Sequence, residues 1–363
     1  MNNENQTIHK SDDNLTIYGW NEKLNQLKQE SIYSILAHGR VSIVHRTCYE
    51  VISGNGLFQC ELTGNMMYGK SDDELPCTGD WVIFQPFDEH KGIIVDRLPR
   101  ERTLYRKKSG TVADKQAIAS YVDKAFIVQS LDDNFNVRRV ERFMVQIMEE
   151  NISSVLVLNK ADLDFDRQSV EEQIKHISSQ IPVFFTSIHQ PETIVRLRKS
   201  ISEGETVVFV GSSGVGKSSL VNALCEKSVL LTSDISLSTG KGRHTSTRRE
   251  MVLMNGSGVL IDTPGVREFG LAIDNPDALA EVLEISDYAE SCRFKDCKHI
   301  NEPGCAVIEA VNSGALDYKV YASYLKLRRE AWHFSASEHE KRKKEKSFTK
   351  LVEEVKNRKD ASR

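Results

Sequence analysis

The sequence lacks any apolar run of transmembrane length, and its polar start, MNNENQTIHK, lacks the hydrophobic segment of a signal peptide. It also lacks a large excess of charge of either sign, since 48 Lys and Arg residues face 52 Asp and Glu residues for a net charge of −4. We therefore expect a cytoplasmic protein with no membrane contact. The charge balance excludes a uniformly basic nucleic-acid binder, so any such binding has to come from local patches.

The seven cysteines do not form the common C-x2-C pairs. In a cytoplasmic chain, cysteines indicate metal ligation or burial rather than a disulfide framework. The length of 363 residues exceeds one typical core and predicts two or three domains. No internal repeat is present.

Residues 39–98 carry short apolar runs with a period of two, such as Trp81–Phe84, separated by turns rich in Gly and Asn. About five strands in a stretch of this length predict a small β-barrel of the OB type, with another small barrel or an open sheet as the alternatives. We expect an N-terminal extension at 1–37 and the OB domain at 38–100. The basic stretch Arg97–Lys108 either contacts nucleic-acid phosphates or is a solvated linker.

From Val122 onward, apolar strands alternate with segments of helical spacing. Lys124–Ser130 and Ser154–Leu158 have the character of buried parallel strands, and Arg138–Glu149 between them has the spacing of an amphipathic helix. This alternation predicts a doubly wound α/β sheet, which we assign to residues 101–275.

The segment GSSGVGKSS at Gly211–Ser219 fits the phosphate-loop pattern G-x-x-x-x-G-K-[ST] and follows the apolar strand Thr206–Val210. Its glycines let backbone N–H groups surround a phosphate at a helix N-terminus. Lys217 adds a charge near the outer phosphates, and the Ser218 hydroxyl is a Mg²⁺ ligand. The sequence therefore predicts a nucleoside triphosphate site.

The motif NKAD at residues 159–162 comes directly after an apolar strand. A carboxylate there can accept two hydrogen bonds from the N1–H and N2–H₂ groups of guanine, which adenine cannot offer. A site built with such acceptors rejects adenine, which lacks these N–H donors, because the acceptors would stay unpaired. The base is therefore predicted to be guanine.

The motif DTPG begins at Asp262 and ends another apolar strand. Asp262 suits a role at Mg²⁺, and the Gly265 amide can contact the γ-phosphate. Between the phosphate loop and this strand, the segment GKGRHTST at 240–247 suits a mobile switch. The complete predicted GTP-binding set is Asn159, Lys160, Ala161, Asp162, Gly211, Ser212, Ser213, Gly214, Val215, Gly216, Lys217, Ser218, Ser219, Asp262 and Gly265.

Cys292, Cys297, His299 and Cys305 have the spacing C-x4-C-x-H-x5-C. Three thiolates and an imidazole close a tetrahedral Zn²⁺ site and leave no open position for catalysis. We expect one structural zinc in a helical C-terminal domain at 276–363. Its charged tail is expected to form a solvated helix, with RNA contact as the alternative.

The NKAD motif precedes the phosphate loop in this chain, whereas GTPases ordinarily have the phosphate loop first. A circularly permuted GTPase between an OB-like barrel and a Cys/His cluster resembles the RsgA (YjeQ or YloQ) family of small-subunit ribosome biogenesis GTPases. The resemblance covers about residues 36–310 and rests on NKAD, GSSGVGKSS, GRHTST, DTPGVRE, the GDWV motif at Gly79–Val82 and the zinc spacing. It implies a GTPase that binds the 30S subunit and its 16S rRNA late in maturation and leaves on hydrolysis. We expect it to act as a monomer.

The resemblance aligns Thr247 with the switch threonine that ligates Mg²⁺ together with Ser218, and Thr245 or Ser246 are the alternatives. The second guanine-binding segment, ordinarily Ser-Ala, is Thr186-Ser187-Ile188 here. The contact of that segment with guanine is therefore left open.

Val266 stands where many GTPases carry a glutamine that orients the attacking water. We therefore expect slow intrinsic turnover and activation by a partner, which the resemblance identifies as the 30S subunit. His244 is the candidate for orienting water instead, and its alternative role is a contact to backbone or rRNA. The predicted catalytic residues are His244, Lys217 and Thr247.

Three other functions compete with a GTP hydrolase that acts in subunit assembly. One is a nucleotide-gated RNA-binding regulator whose target is not the 30S subunit. An ATP-dependent P-loop enzyme is a second, which NKAD disfavours. The third, a zinc-finger RNA protein with an inactive nucleotide site, is disfavoured by the presence of Lys217, Ser218 and Asp262.

Overall fold

The computed structural model describes residues 14–68, 71, 73–107, 115–225, 250–254, 256–262 and 276–335. Several predicted features lie outside the described residues: the first residues of the extension, the segment 240–247 with His244 and Thr247, Gly265 and Val266, and the charged tail. The chain divides into two compact units, one of residues 1–107 and 115–270 and the other of 108–114 and 271–363.

The larger unit contains a closed five-stranded barrel. Its strands are β1 (Ala37–Val44), β2 (Tyr49–Ser53), β3 (Gly56–Leu62), β4 (Trp81–Asp88) and β5 (Lys91–Arg97). They pair in the order β1-β2-β3-β5-β4 and close through β4 and β1; only β3 and β5 run parallel. This Greek-key closure confirms the OB-type barrel. Inward-facing side chains of alternating positions, among them Val41, Val51 and Phe84, fill its core.

The described part of the N-terminal extension packs against the outside of this barrel. Helix α1 (Glu22–Glu30) begins after Asn21, whose side chain accepts a hydrogen bond from the Leu24 amide at 3.1 Å. Leu24 and Trp20 are buried in a cluster with Trp81, and the two indole rings meet edge-on at 4.8 Å. A short helix, α2 (Gly64–Met67), follows β3.

The GDWV motif lies where the barrel meets the following α/β part. Gly79 has φ +97°, and a Cβ there would lie 2.4 Å from the Ser120 carbonyl oxygen, so only glycine fits. Asp80 is fully buried and pairs with Arg100, with 2.6 Å between Oδ2 and Nη2. The Arg40 guanidinium is also buried and donates hydrogen bonds to the Gly79 carbonyl at 3.0 Å and to Thr206 Oγ1 at 2.9 Å.

The α/β part contains a sheet of six strands. The parallel strands are β8 (Lys124–Ser130), β9 (Ser153–Asn159), β10 (Val183–Thr186), β11 (Thr206–Val210) and β13 (Val259–Asp262), and β12 (Glu250–Leu253) is antiparallel to β13. Their order is β10-β9-β8-β11-β13-β12, and an antiparallel pairing of Ile43 with Glu250 joins this sheet to the barrel. Strands β6 (Leu104–Lys107) and β7 (Lys115–Ala119) form a separate pair.

Helices α3 (Val137–Glu149), α4 (Arg167–Gln173), α5 (Lys175–Ser178), α6 (Pro191–Lys199) and α7 (Lys217–Cys225) connect the strands. One face of α3 is buried through Val140, Phe143 and Ile147, as its helical spacing predicts. A core between β8, β11, α6 and α7 includes Phe126 and Phe209. The doubly wound α/β architecture is thereby confirmed.

The smaller unit is helical. It contains α8 (Pro276–Val282), α9 (Ser286–Ala289), α10 (Ala306–Ser313) and α11 (Tyr318–Ser335). Helix α10 ends at Gly314, which takes a left-handed conformation with φ +78°. Across the described ranges, no helix combines the length and the apolar character needed to cross a membrane.

Candidate nucleotide site and metal centre

Three of the predicted nucleotide motifs lie at the carboxyl ends of parallel strands in one sheet. NKAD begins at the last residue of β9, the phosphate loop follows β11, and Asp262 is the last residue of β13. Since parallel strands end at the same edge of a sheet, the permuted chain order still brings these segments together. Asp262 is therefore at this edge, whereas His244, Thr247 and Gly265 lie outside the described residues.

The phosphate loop runs from Gly211 to Gly216, and α7 begins at Lys217. A Cβ on Gly211, which has φ +150°, would lie 2.4 Å from the Val128 carbonyl oxygen. A Cβ on Gly216, which has φ +92°, would lie 2.3 Å from Asn159 Nδ2. Both positions therefore require glycine, and the loop presents its backbone at a helix N-terminus, where anions bind.

The Lys217 ammonium crosses this loop. Its Nζ lies 2.7 Å from the carbonyl oxygens of both Gly211 and Ser212. A phosphate anion is a stronger partner for an ammonium than a neutral carbonyl, so the side chain is placed to exchange these contacts for phosphate oxygens. Ser218 and Ser219 follow in the first turn of α7, and Val215 is buried in the core beneath the loop.

Asn159 connects NKAD, the predicted base-recognition motif, to the phosphate loop. Its Nδ2 donates a hydrogen bond to the Val215 carbonyl at 2.9 Å, and its Oδ1 accepts one from the Thr186 hydroxyl at 3.2 Å. The Ala161 amide donates to the Thr186 carbonyl at 3.0 Å. The loop after β9 is therefore fixed both to β10 and to the phosphate loop.

The Asp162 carboxylate is exposed at the end of the motif and accepts a hydrogen bond from the Ser187 hydroxyl. This hydrogen bond is the main cause that lowers the pKa of Asp162 below its ordinary value. An ionised carboxylate with a free lone pair at the surface is suited to accept from the donors of guanine. The structure thus brings Thr186 and Ser187 into contact with the NKAD motif, while the contact of this segment with guanine stays a prediction.

Asp132, in the loop after β8, was not predicted as part of the site. Lys160, which has a left-handed conformation with φ +61°, donates from Nζ to Asp132 Oδ2 at 2.8 Å. Burial raises the pKa of Asp132, but the hydrogen bonds from Lys160, Ser130 and Asn134 outweigh it and lower the pKa overall. The signal available in the sequence was a carboxylate after the end of another parallel strand.

The four predicted metal ligands lie together in the smaller unit, with their donor atoms all within 4.8 Å of one another. The Cys292 and Cys305 sulfurs are 3.9 Å apart, and each lies 3.5 Å from His299 Nδ1. Ligands in a tetrahedral zinc site have edges of roughly 3.5–3.8 Å, given bonds of about 2.3 Å to sulfur and about 2.0 Å to nitrogen. The donor set and its spacing therefore fit a tetrahedral metal centre.

The loops around this centre are fixed by their own hydrogen bonds. The Glu302 carboxylate accepts from the backbone amides of Lys298, Ile300 and Asn301. These amides lower the pKa of Glu302 to about 2. His299 has φ +54°, and its carbonyl accepts a hydrogen bond from the Tyr321 hydroxyl at 2.7 Å, which holds the imidazole-bearing turn against α11.

Known proteins resemble this chain over most of its length. Residues 97–272 match the sequence family described as RsgA GTPase. The chain is 76% identical to the small ribosomal subunit biogenesis GTPase RsgA 1 of Bacteroides thetaiotaomicron over 99% of both chains. It is 38% identical to the small ribosomal subunit biogenesis GTPase RsgA of Methanosarcina acetivorans over 90% of this chain and 89% of that one.

Two solved structures resemble the chain as well. YjeQ from Thermotoga maritima has a TM-score of 0.62 at 25% identity and covers 81% of this chain and 98% of its own. YloQ, described as a circularly permuted GTPase, has a TM-score of 0.62 at 22% identity over 83% of this chain and 97% of its own, and shares the fold.

Proposed function

The chain belongs to the RsgA GTPase family, and on this premise we propose how it works in the biogenesis of the small ribosomal subunit. It is a GTPase, as its relatives are. It binds the 30S subunit through 16S rRNA late in maturation when GTP is bound, and hydrolysis of GTP drives its release. It acts as a monomer in the cytoplasm.

The observation that carries this proposal is the meeting of the NKAD loop, the phosphate loop and the end of β13 at one edge of the sheet. Asp162 selects guanine, the amides of the phosphate loop and Lys217 bind the phosphates, and Ser218 with Thr247 ligates Mg²⁺. The hydrogen bond from Asn159 to the Val215 carbonyl supports the assignment, because it joins the base-recognition motif to the phosphate loop. Asp262 and Gly265 complete the site on the side of the γ-phosphate.

Hydrolysis is slow without a partner, because Val266 cannot orient a water molecule. Mg²⁺ supplies neutralisation of charge on the phosphates when it is bound. His244 orients the attacking water once the ribosomal subunit is engaged. A partner that organises such a site accelerates hydrolysis by as much as ~10⁵-fold in other GTPases.

The connection between barrel and sheet supports coupling of RNA binding to the nucleotide. Strand β12 pairs both with β13, which ends at Asp262, and with β1 of the barrel through Ile43 and Glu250. Arg40 of β1 also contacts Thr206 at the start of the strand that leads into the phosphate loop. A change at the γ-phosphate can therefore reach the barrel through strands that are hydrogen-bonded to one another.

The metal in the smaller unit is one zinc ion with a structural role. Three thiolates and one imidazole are soft and borderline donors that select zinc over Mg²⁺ or Ca²⁺. The donors Cys292, Cys297, His299 and Cys305 fill four coordination positions, so no position remains for a substrate.

GTP hydrolysis by the purified protein, measured alone and with isolated 30S subunits, 50S subunits or 70S ribosomes, tests the proposal. We expect a large stimulation by 30S subunits only. Equal, slow turnover in every sample would not contradict the GTP site, but it would favour an RNA target other than the 30S subunit. Equal 30S affinity in GDP and in a non-hydrolysable GTP analogue would contradict release driven by hydrolysis.

A further inference from the structure

An arginine from outside the nucleotide motifs contacts the phosphate loop. The Arg139 guanidinium donates from Nη1 to the Ser212 hydroxyl oxygen at 2.9 Å. The same nitrogen lies 3.2 Å from both the carbonyl oxygen and the side-chain oxygen of Asn134. Ser212 is the second residue of the phosphate loop, so Arg139 holds the loop at the point where it leaves β11.

Helix packing alone does not account for a cation at this position. Arg139 lies in the first turn of α3, and its backbone amide is capped by the Asn136 side chain at 3.3 Å. The N-terminus of a helix carries partial positive charge, which disfavours a cation in the first turn. Its neighbour Arg138 is exposed to solvent, whereas Arg139 is half-buried against the oxygens of Ser212 and Asn134.

Two cations converge on Ser212. Lys217 Nζ contacts its carbonyl oxygen, and Arg139 contacts its hydroxyl. If Lys217 turns to the phosphates when nucleotide binds, the Ser212 carbonyl loses that partner. The contact from Arg139 comes from α3, to a different atom of Ser212, and does not depend on Lys217.

The same loop connects Arg139 with the base-recognition motif. The Asn134 amide donates to Asp132 Oδ1 at 3.0 Å, and Asp132 Oδ2 accepts from Lys160. A chain of hydrogen bonds therefore runs from Lys160 of NKAD through the loop after β8 to the phosphate loop. The path is separate from the direct link between Asn159 and Val215.

We propose that Arg139 is a positioning residue that holds the phosphate loop, through Ser212, in the conformation that binds the phosphates common to GDP and GTP. The inference rests on the proposed nucleotide site. Arg139 acts through Ser212 and does not contact the reacting γ-phosphate. Its contribution is therefore to nucleotide binding and not to the chemical step.

The test compares full-length Arg139→Ala with Arg138→Ala, a matched change in the same helical turn. We expect Arg139→Ala to weaken binding of fluorescent GDP and of a non-hydrolysable GTP analogue by about tenfold each, which is the lower end of the value of one hydrogen bond to a charged group. KM for GTP should rise by a similar factor while kcat stays unchanged, because the lost interaction stabilises the bound substrate and the transition state equally. Arg138→Ala stays at the wild-type values, and Arg139→Lys, which keeps the charge and one donor, recovers part of the affinity.

A second pair of variants tests whether the effect passes through Ser212. Ser212→Ala weakens binding of both nucleotides. Adding Arg139→Ala to it changes the affinity by less than about twofold, since the effects of two changes that remove the same contact are not additive. A fall in kcat with unchanged GDP affinity would overturn the proposal, because it would make Arg139 a γ-phosphate contact. An equal, full effect of Arg139→Ala in the Ser212→Ala background would overturn it too. Lys217→Ala distinguishes failure of this inference from failure of the proposed nucleotide site. If Lys217→Ala binds nucleotide normally, the assignment of the nucleotide site itself is wrong.

Discussion

The Asn159 side chain donates a hydrogen bond to the Val215 carbonyl oxygen at 2.9 Å, so the first residue of the base-recognition motif holds the phosphate loop directly. Both residues are buried, Asn159 at 3% exposure and Val215 at 0%. A buried carbonyl that loses its donor costs about 1–3 kcal/mol. The two parts of the nucleotide site are therefore energetically connected even before any ligand contacts them.

Asn159→Ala should weaken GDP and GTP binding by about 10- to 100-fold, because the Val215 carbonyl is left without its donor and the loop loses its fixed position. Titration with fluorescent GDP measures the change. Thr186→Val, which removes the hydroxyl that contacts the other end of the Asn159 amide, should have a smaller effect in the same direction. Asn55→Ala, in an exposed turn of the barrel, serves as the control. Affinity for Asn159→Ala equal to that of this control would contradict the connection.

Ser187→Ala should shift the pH dependence of guanine-nucleotide binding. The Ser187 hydroxyl lowers the pKa of Asp162, so the carboxylate stays ionised while the pH falls through the ordinary carboxyl range. The ionised Asp162 carboxylate therefore contributes fully to binding above the ordinary carboxyl pKa. This contribution is lost as the pH falls through the lowered pKa. Without the hydroxyl, the pKa of Asp162 rises and GDP affinity begins to fall at a higher pH. Fluorescent GDP titrations from about pH 4 to 7 measure this, with exposed Ser179→Ala as the control. Coincident pH profiles would refute the role of Ser187.

Asp80→Asn should destabilise the larger unit by about 3–5 kcal/mol, since it leaves the Arg100 guanidinium without its carboxylate in a buried place. Asp80 and Arg100 have side-chain exposures of 0% and 7%. Asp88→Asn is the matched control, because its pair with Lys91 at 3.6 Å is exposed and worth less than about 1 kcal/mol. Urea unfolding of the full-length variants compares the two. Similar losses of unfolding free energy would show that burial of the pair does not matter.

The placement of the predicted nucleotide motifs at one edge of the sheet could be predicted from sequence, because it depends on a simple property of parallel sheets. NKAD, the phosphate loop and Asp262 each follow an apolar strand, and strands that run parallel end at one edge. The reason for the GDWV motif could not be predicted in the same way. It depends on the Ser120 carbonyl, which approaches Gly79 only in the folded chain, and on Arg100, which lies twenty residues from Asp80.

Asp132 and Arg139 escaped prediction for a related reason. Charged residues after a strand have no fixed spacing, and their partners Lys160 and Ser212 are 28 and 73 residues away. Barrel and sheet are joined by the register pair of Ile43 with Glu250 and by the hydrogen bond from Arg40 to Thr206, and no periodicity encodes either contact. The metal centre could be predicted, in contrast, because four ligands of two types, Cys and His, lie within fourteen residues and constrain one another locally.

Cys297→Ser should remove the bound metal and unfold the loops around it. Structural zinc contributes roughly 10–16 kcal/mol of apparent binding free energy in small zinc peptides, so three remaining ligands cannot hold these loops in place. Elemental analysis should find about one zinc per wild-type chain and less in the variant, and proteolysis should become faster between 292 and 305. Cys48 is a half-buried thiol of the barrel, so Cys48→Ser should keep both the zinc content and the resistance to proteolysis of the wild type. A full equivalent of zinc in Cys297→Ser would remove that residue from the ligand set.

Gly216→Ala and Gly214→Ala provide a matched pair for the contact between the two nucleotide motifs. Both glycines have left-handed φ values, +92° and +83°, so alanine strains the backbone by about 1–2 kcal/mol at either position. A Cβ at Gly214 meets nothing within 4 Å, whereas a Cβ at Gly216 would lie 2.3 Å from Asn159 Nδ2.

Only Gly216→Ala therefore displaces Asn159 from the Val215 carbonyl. We expect its affinity for fluorescent GDP to fall at least about tenfold further than that of Gly214→Ala, as for the loss of a buried hydrogen bond. The excess should disappear in an Asn159→Ala background, where no side chain remains to be displaced, because the two changes then remove the same contact. If Gly216→Ala keeps its excess in that background, the glycine is required by the phosphates themselves and not by Asn159.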